Sequence, residues 1–122
     1  GPAERVSGAE FAVVGRHEAR GRIGAPTRVS VVAVPCGHWK INLEYPAKLR
    51  VVSAESFAAA GDVLTLGDAA RRDDRELRFD LDLTPEAAGE RPVEFHLRFG
   101  LCDESRCITR EAAVRWTYQV ED

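Results

Sequence analysis

The sequence predicts an all-β fold, an immunoglobulin-like β-sandwich of seven to nine short antiparallel strands. Three observations predict it. Apolar side chains recur with a period of two in several segments, glycine and proline punctuate the gaps, and no long helical pattern interrupts them.

The first half is apolar and irregular. Phe11 to Val14 and Arg28 to Val34 read as strands, separated by the turn signals Gly21, Gly24 and Pro26. Trp39, Ile41 and Leu43 alternate with Lys40, Asn42 and Glu44 until Pro46 breaks the run. Leu49, Val51 and Val52 form a further strand. Ser56 to Ala60 reads as one helical turn stopped by Gly61, after which Val63 to Leu66 resumes extended structure.

The second half alternates cleanly. Leu77, Phe79, Leu81 and Leu83 are interleaved with Arg78, Asp80 and Asp82. Val93, Phe95, Leu97, Phe99 and Leu101 are interleaved with Glu94, His96 and Arg98. Val114, Trp116, Tyr118 and Val120 are interleaved with Arg115, Thr117 and Gln119. Each segment reads as a strand with one face on a core and one in water. Pro92 stands at a strand start, where a missing N–H does least harm.

At 122 residues the chain has the size of one domain, assigned to residues 3–122. Gly1-Pro2 reads as the remnant of a cleaved tag. Seventeen basic and twenty acidic residues are mixed along the chain for a net charge of -3, a balance that disfavours nucleic-acid binding. No apolar run reaches the roughly 18 residues that span a bilayer. A membrane is therefore expected only through segments outside this sequence. Abundant Ala and Arg, with a lone Asn42 and no Met, suggest a GC-rich bacterial genome.

Cys102 and Cys107 bracket Asp103-Glu104-Ser105-Arg106 at the end of a predicted strand. The spacing favours a disulfide across a hairpin tip, where Cα separations of about 4.4–6.8 Å are attainable, and hence an oxidising compartment. So short a ring contributes only roughly 2 kcal/mol in the chain-entropy account. Its importance is then local, either shaping a loop or reacting. Asp103 and Glu104 oppose a thiolate on Cys102, whereas Arg106 favours one on Cys107. These residues leave the structural and the redox readings both open.

Two segments resemble the N-terminal periplasmic domain of DsbD-type thiol:disulfide interchange proteins. One is Gly37-His38-Trp39-Lys40-Ile41-Asn42-Leu43-Glu44-Tyr45-Pro46. The other is Leu97-Arg98-Phe99-Gly100-Leu101 leading into Cys102 and Cys107. The likeness implies an immunoglobulin-like sandwich whose Cys102 and Cys107 are the catalytic pair, exchanging electrons with a protein partner. Cys107 would form the mixed disulfide. It also implies an aromatic cap over the sulfurs, for which Trp39, Tyr45 and Phe57 are candidates. A non-catalytic envelope or surface domain that binds a protein, with a structural hairpin disulfide, is the alternative. Both readings place the domain outside the cytoplasm, and no cofactor is expected.

Other residues read more plainly. Cys36 fits a small buried hydrophobe, a reactive or intermolecular thiol, or a zinc ligand with His38, Cys102 and Cys107; its spacing is no strong zinc signature, and no metal is expected. His17, His38 and His96 lack a catalytic setting with Ser7 or Ser30. Trp39, Trp116 and Tyr118 suit core or strand faces. The run Arg71-Arg72-Asp73-Asp74-Arg75-Glu76 suits a solvated turn.

Overall fold

A computed structural model describes residues 4–59 and 61–122. Gly1-Pro2, read as a tag remnant, and Ala60, the end of the expected helical turn, lie outside the described residues. Twelve strands run in chain order as β1 (Arg5–Ser7), β2 (Phe11–Arg16), β3 (Arg20–Arg22), β4 (Thr27–Pro35), β5 (Lys40–Ile41) and β6 (Lys48–Ser53). They continue as β7 (Phe57–Ala59), β8 (Val63–Thr65), β9 (Arg71–Arg72), β10 (Leu77–Pro85), β11 (Gly89–Cys102) and β12 (Cys107–Glu121).

Two sheets result. The first has the order β1-β2-β4-β10-β7, with β9 also on β10; the second has β3-β12-β11-β6-β8, with β5 also on β11. This is an immunoglobulin-like β-sandwich. The strands number twelve rather than seven to nine, because several pairings last only two or three residues and leave no periodicity to read. One pairing breaks the antiparallel expectation. The chain leaves β2, crosses to the other sheet at His17–Ala19, and β3 then lies parallel to β12.

The alternating segments behave as predicted. Every inward residue named for β10, β11 and β12 is buried, with Phe79, Phe95, Phe99, Trp116 and Tyr118 among the largest side chains fully removed from water. Burying each such side chain contributes about 1.5–3 kcal/mol. The third strand of this group begins at Cys107, well before Val114, so β11 and β12 pair without interruption from Gly89↔Val120 to Cys102↔Cys107.

Three local expectations fail. Ser56 onward is no helical turn: Phe57–Ala59 pairs with Leu83–Pro85, and Phe57 is buried against Tyr118 with ring centroids 5.4 Å apart. A sheet edge with a core site for one aromatic outweighs helix propensity there. The Trp39–Leu43 alternation lasts two residues, since Asn42 Oδ1 accepts from the Glu44 N–H and turns the chain, leaving Leu43 exposed. Val52 is exposed too, as the extra residue of a bulge between the Val51↔Phe95 and Ser53↔Glu94 pairs. The Arg71–Glu76 run is partly a turn, closed by Asp73 accepting from the N–H groups of Arg75 and Glu76, and partly the short strand β9.

One close approach sets the spacing of the layers. Gly15 faces inward from β2, and a Cβ there would lie 2.5 Å from Trp116 Cζ3. The indole is sandwiched between Phe95 at 5.2 Å and His17 at 4.2 Å, so it has nowhere to retreat. Gly15→Ala is therefore expected to destabilise by about 1–3 kcal/mol through overpacking. Gly61→Ala, with open space around it, should be nearly neutral. Urea midpoints of the two variants check this.

Tyr118 supplies a second expectation. Burial pushes its phenol up to about 12, from an ordinary value near 10. Between those pH values the unfolded chain has released this proton and the folded chain has not. Folded protein thus binds more protons, and stability falls as pH rises. The denaturation midpoint should drop from pH 10 toward 12, and Tyr118→Phe should remove that part of the slope.

Candidate functional site

The far end of the β11–β12 ladder carries the cysteine pair. Gly100 C=O accepts from the Asn42 N–H, so it points away from β12, and Asp103 N–H donates to Arg106 C=O across the tip. By alternation Cys102↔Cys107 occupies a non-hydrogen-bonded position, where opposed strands come closest. The two cysteines are joined as a disulfide with Cα atoms 4.0 Å apart. That is shorter than the separation expected from the spacing, because the residues are directly opposed rather than offset.

The turn is built by one side chain. Asp103 Oδ1 accepts from the N–H groups of Ser105 and Arg106 and from the Ser105 hydroxyl, an Asx-type closure. No described non-glycine residue adopts a positive φ, so the tip avoids the primed turns that need one. The Ser105 and Arg106 N–H groups hold the Asp103 carboxyl below the usual carboxylate range. The acidic residue expected to oppose a Cys102 thiolate is thus committed to the loop backbone.

The segment between β4 and β6 flanks the tip. Lys40 pairs with Cys102 and Ile41 with Leu101, so β5 covers the outer side of β11. Tyr45 lies directly on Gly100, where an added Cβ would come within 2.7 Å of Tyr45 Cβ. The Arg106 guanidinium sits over the Trp39 ring at 5.5 Å from its centroid. Cys107 is exposed, whereas Cys102 is half-buried under β5. A groove of about 580 Å³ runs beside Cys102, lined by His38, Lys40, Leu43, Asp74, Arg75 and Glu104 among others.

The candidate residues separate accordingly. Cys102 and Cys107 come together, with Trp39 and Tyr45 close to the tip. Phe57 does not join them, since it pairs with Pro85 at the opposite end of the sandwich. Cys36 is a free, half-buried thiol, and the zinc arrangement fails because the other two sulfurs are bonded to each other. Among the described residues no group of three or more His, Cys, Asp or Glu is placed to hold a metal ion. His17 stacks on Trp116, and His96 lies between Glu94 and Glu111 at 2.7 and 3.5 Å. Ser7 Oγ accepts from Arg5 and Ser30 Oγ donates to Asp80, so neither serine meets a histidine. The Arg106–Trp39 contact escaped the sequence reading, since it joins residues far apart in the chain.

No protein-family model matches the sequence, and no curated protein matches it. Solved structures do share its shape. A cohesin module from a family 33 glycoside hydrolase of Clostridium perfringens superposes with a TM-score of 0.57 at 13% identity, covering 93% of this chain and 100% of that one. The GAE domain of yeast GGA1 superposes with a TM-score of 0.51 at 6% identity, covering 91% of this chain and 95% of that one. At such identities the likeness is one of fold: these are β-sandwiches. Fold and site together define an immunoglobulin-like domain bearing an exposed, disulfide-closed hairpin tip.

Gly100→Ala tests the docking of the flanking segment. Its Cβ would displace Tyr45 and Asn42, so the variant should cleave faster than the parent in the Asn42–Tyr45 stretch under limited proteolysis. Unchanged cleavage would show that the segment is held by other contacts.

Proposed function

We infer that this domain is an extracytoplasmic thiol:disulfide exchange module that passes electrons to or from a protein partner through Cys102 and Cys107. One observation carries the reading: the disulfide presents Cys107 to solvent at a hairpin tip while Cys102 stays half-buried. Exposed disulfides tend to be the labile and catalytic ones. The family resemblance of the flanking segments points the same way.

The chemistry follows from that asymmetry. A partner thiolate attacks Cys107 Sγ, the partner–Cys107 bond forms as the Cys102–Cys107 bond breaks, and Cys102 leaves as a thiolate. A second partner thiolate then attacks the partner's sulfur in the mixed disulfide and releases Cys107 as a thiolate. The partner leaves oxidised and this domain reduced. In the opposite direction Cys107 attacks a partner disulfide and Cys102 resolves the intermediate. Arg106, adjacent in sequence, favours charge on Cys107, while Asp103 is engaged by the loop. A bond of this kind is made in an oxidising compartment, the periplasm or the cell surface of a bacterium.

A second reading has its own support. Asp103 closes the turn with three hydrogen bonds that need no disulfide, and the sandwich shares its shape with a cohesin module. On that reading the tip is a pinned loop of a non-catalytic protein-binding domain.

Equilibration against a glutathione couple, in a Cys36→Ser background, separates the two. The exchange reading predicts a midpoint potential above about -300 mV and a glutathione adduct on Cys107 in Cys102→Ala, both measured by alkylation and mass spectrometry. A lower potential would refute exchange and leave the binding domain. The double variant Cys102→Ser, Cys107→Ser should then fold with a loss of only roughly 2 kcal/mol.

A further inference from the structure

The outer face of the second sheet carries a charge arrangement that folding does not require. Lys48 and Arg50 point outward from β6, and Lys48 lies directly opposite Arg98 on β11. Like charges in opposed positions disfavour a sheet, and a threonine at any of these exposed sites would suit a strand better. Among the described residues no carboxylate comes within ion-pair distance of Lys48, Arg50 or Arg98. The carboxylates of this face are engaged toward β12 instead. Glu94 contacts His96 and Arg115 at 2.7 and 3.5 Å, and Glu111 leans to His96 at 3.5 Å although it stands opposite Arg98.

Beside the basic trio the surface is apolar. Val63 on β8 stands opposite Arg50 and is 50% exposed; Val52, the bulge residue, is 45% exposed. The edge itself is closed to strand addition at Thr65, whose N–H donates to Asp68. Contact here must therefore come through side chains on the face.

We propose that this strip docks an acidic, extended segment of a partner protein, through Lys48, Arg50 and Arg98 flanked by Val52 and Val63. Charge complementarity selects the occupant. Lys48 and Arg50 are two residues apart in one strand, about 7 Å, which is the spacing of side chains on one face of an extended peptide. Carboxylates at alternate positions would meet them one to one, with Arg98 about 5 Å across in the next strand. Apolar side chains outside the acidic pair would cover the two valines. Nucleic acid fits less well: binding it usually engages more phosphates than three cations can neutralise, and the chain as a whole carries a net charge of -3. The strip belongs to neither reading of the disulfide.

The test uses the labelled peptide Leu-Ser-Glu-Ser-Glu-Ser-Leu, its lysine counterpart, and a thymidine heptanucleotide, titrated against the whole chain at low salt by fluorescence anisotropy. The acidic peptide should bind. Reversal by Lys48→Glu or Arg98→Glu should weaken it roughly tenfold, and neutralisation by Lys48→Thr with Arg98→Thr should weaken it without lowering the melting temperature. Arg22→Glu, on the far edge strand β3, should leave affinity unchanged. Absence of acidic-peptide binding, equal binding of the lysine peptide or the oligonucleotide, or indifference to the neutralised variant would overturn the proposal.

Discussion

Fourteen directly opposed residue pairs hold β11 to β12, and most of the molecule is arranged around that ladder. Its inward side chains, from Val93 to Leu101 and from Val114 to Val120, form nearly all of one wall of the core. Because the side-chain period in a strand is two, a slip of one residue would turn every one of them into water. Phe95 against Trp116 and Trp116 against His17 fix the depth at which the other sheet can approach, and the missing side chain at Gly15 makes that approach possible. Register, layer spacing and the position of the tip are therefore one constraint.

The same ladder explains the character of the disulfide. It sits beyond the last core pair, Leu101↔Ile108, on strands already held by backbone hydrogen bonds and by buried aromatic rings. Asp103 closes the turn independently, and β5 braces Cys102 from the other side. A covalent bond placed there adds little to a fold that is already specified, which leaves its opening and closing free for other uses. The basic strip is similarly detached from folding: Lys48, Arg50 and Arg98 occupy outward positions of the sheet where charge is tolerated but opposed like charges are not favoured.

The legible parts of the sequence were those in which one face of a strand meets the core and the other meets water. For β10, β11 and β12 that condition holds throughout, and the alternation was readable residue by residue. In β4 it fails, because Val31 and Val32 are both buried although they point to opposite sides of the sheet, so the period is blurred. The short pairings β5, β7 and β9 carry no period at all; long-range partners decide them, as when Pro85 takes Phe57. The cysteine pair was legible because its partners are close in sequence and its geometry is local. The Arg106–Trp39 contact, the covering of Gly100 by Tyr45, and the clustering of Lys48 with Arg98 depend on register between distant segments, which composition and spacing do not encode.

The claim on which this account turns is that the ladder and its core stand without the sulfur–sulfur bond. Native-state amide hydrogen exchange, before and after reduction, addresses it directly. The N–H groups of Phe95, Leu97 and Phe99, which face β12, should keep the slow exchange of global unfolding in both states, with faster exchange confined to Asp103–Arg106 and its immediate neighbours on reduction. Simultaneous loss of protection along the whole ladder once the bond is reduced would contradict the account.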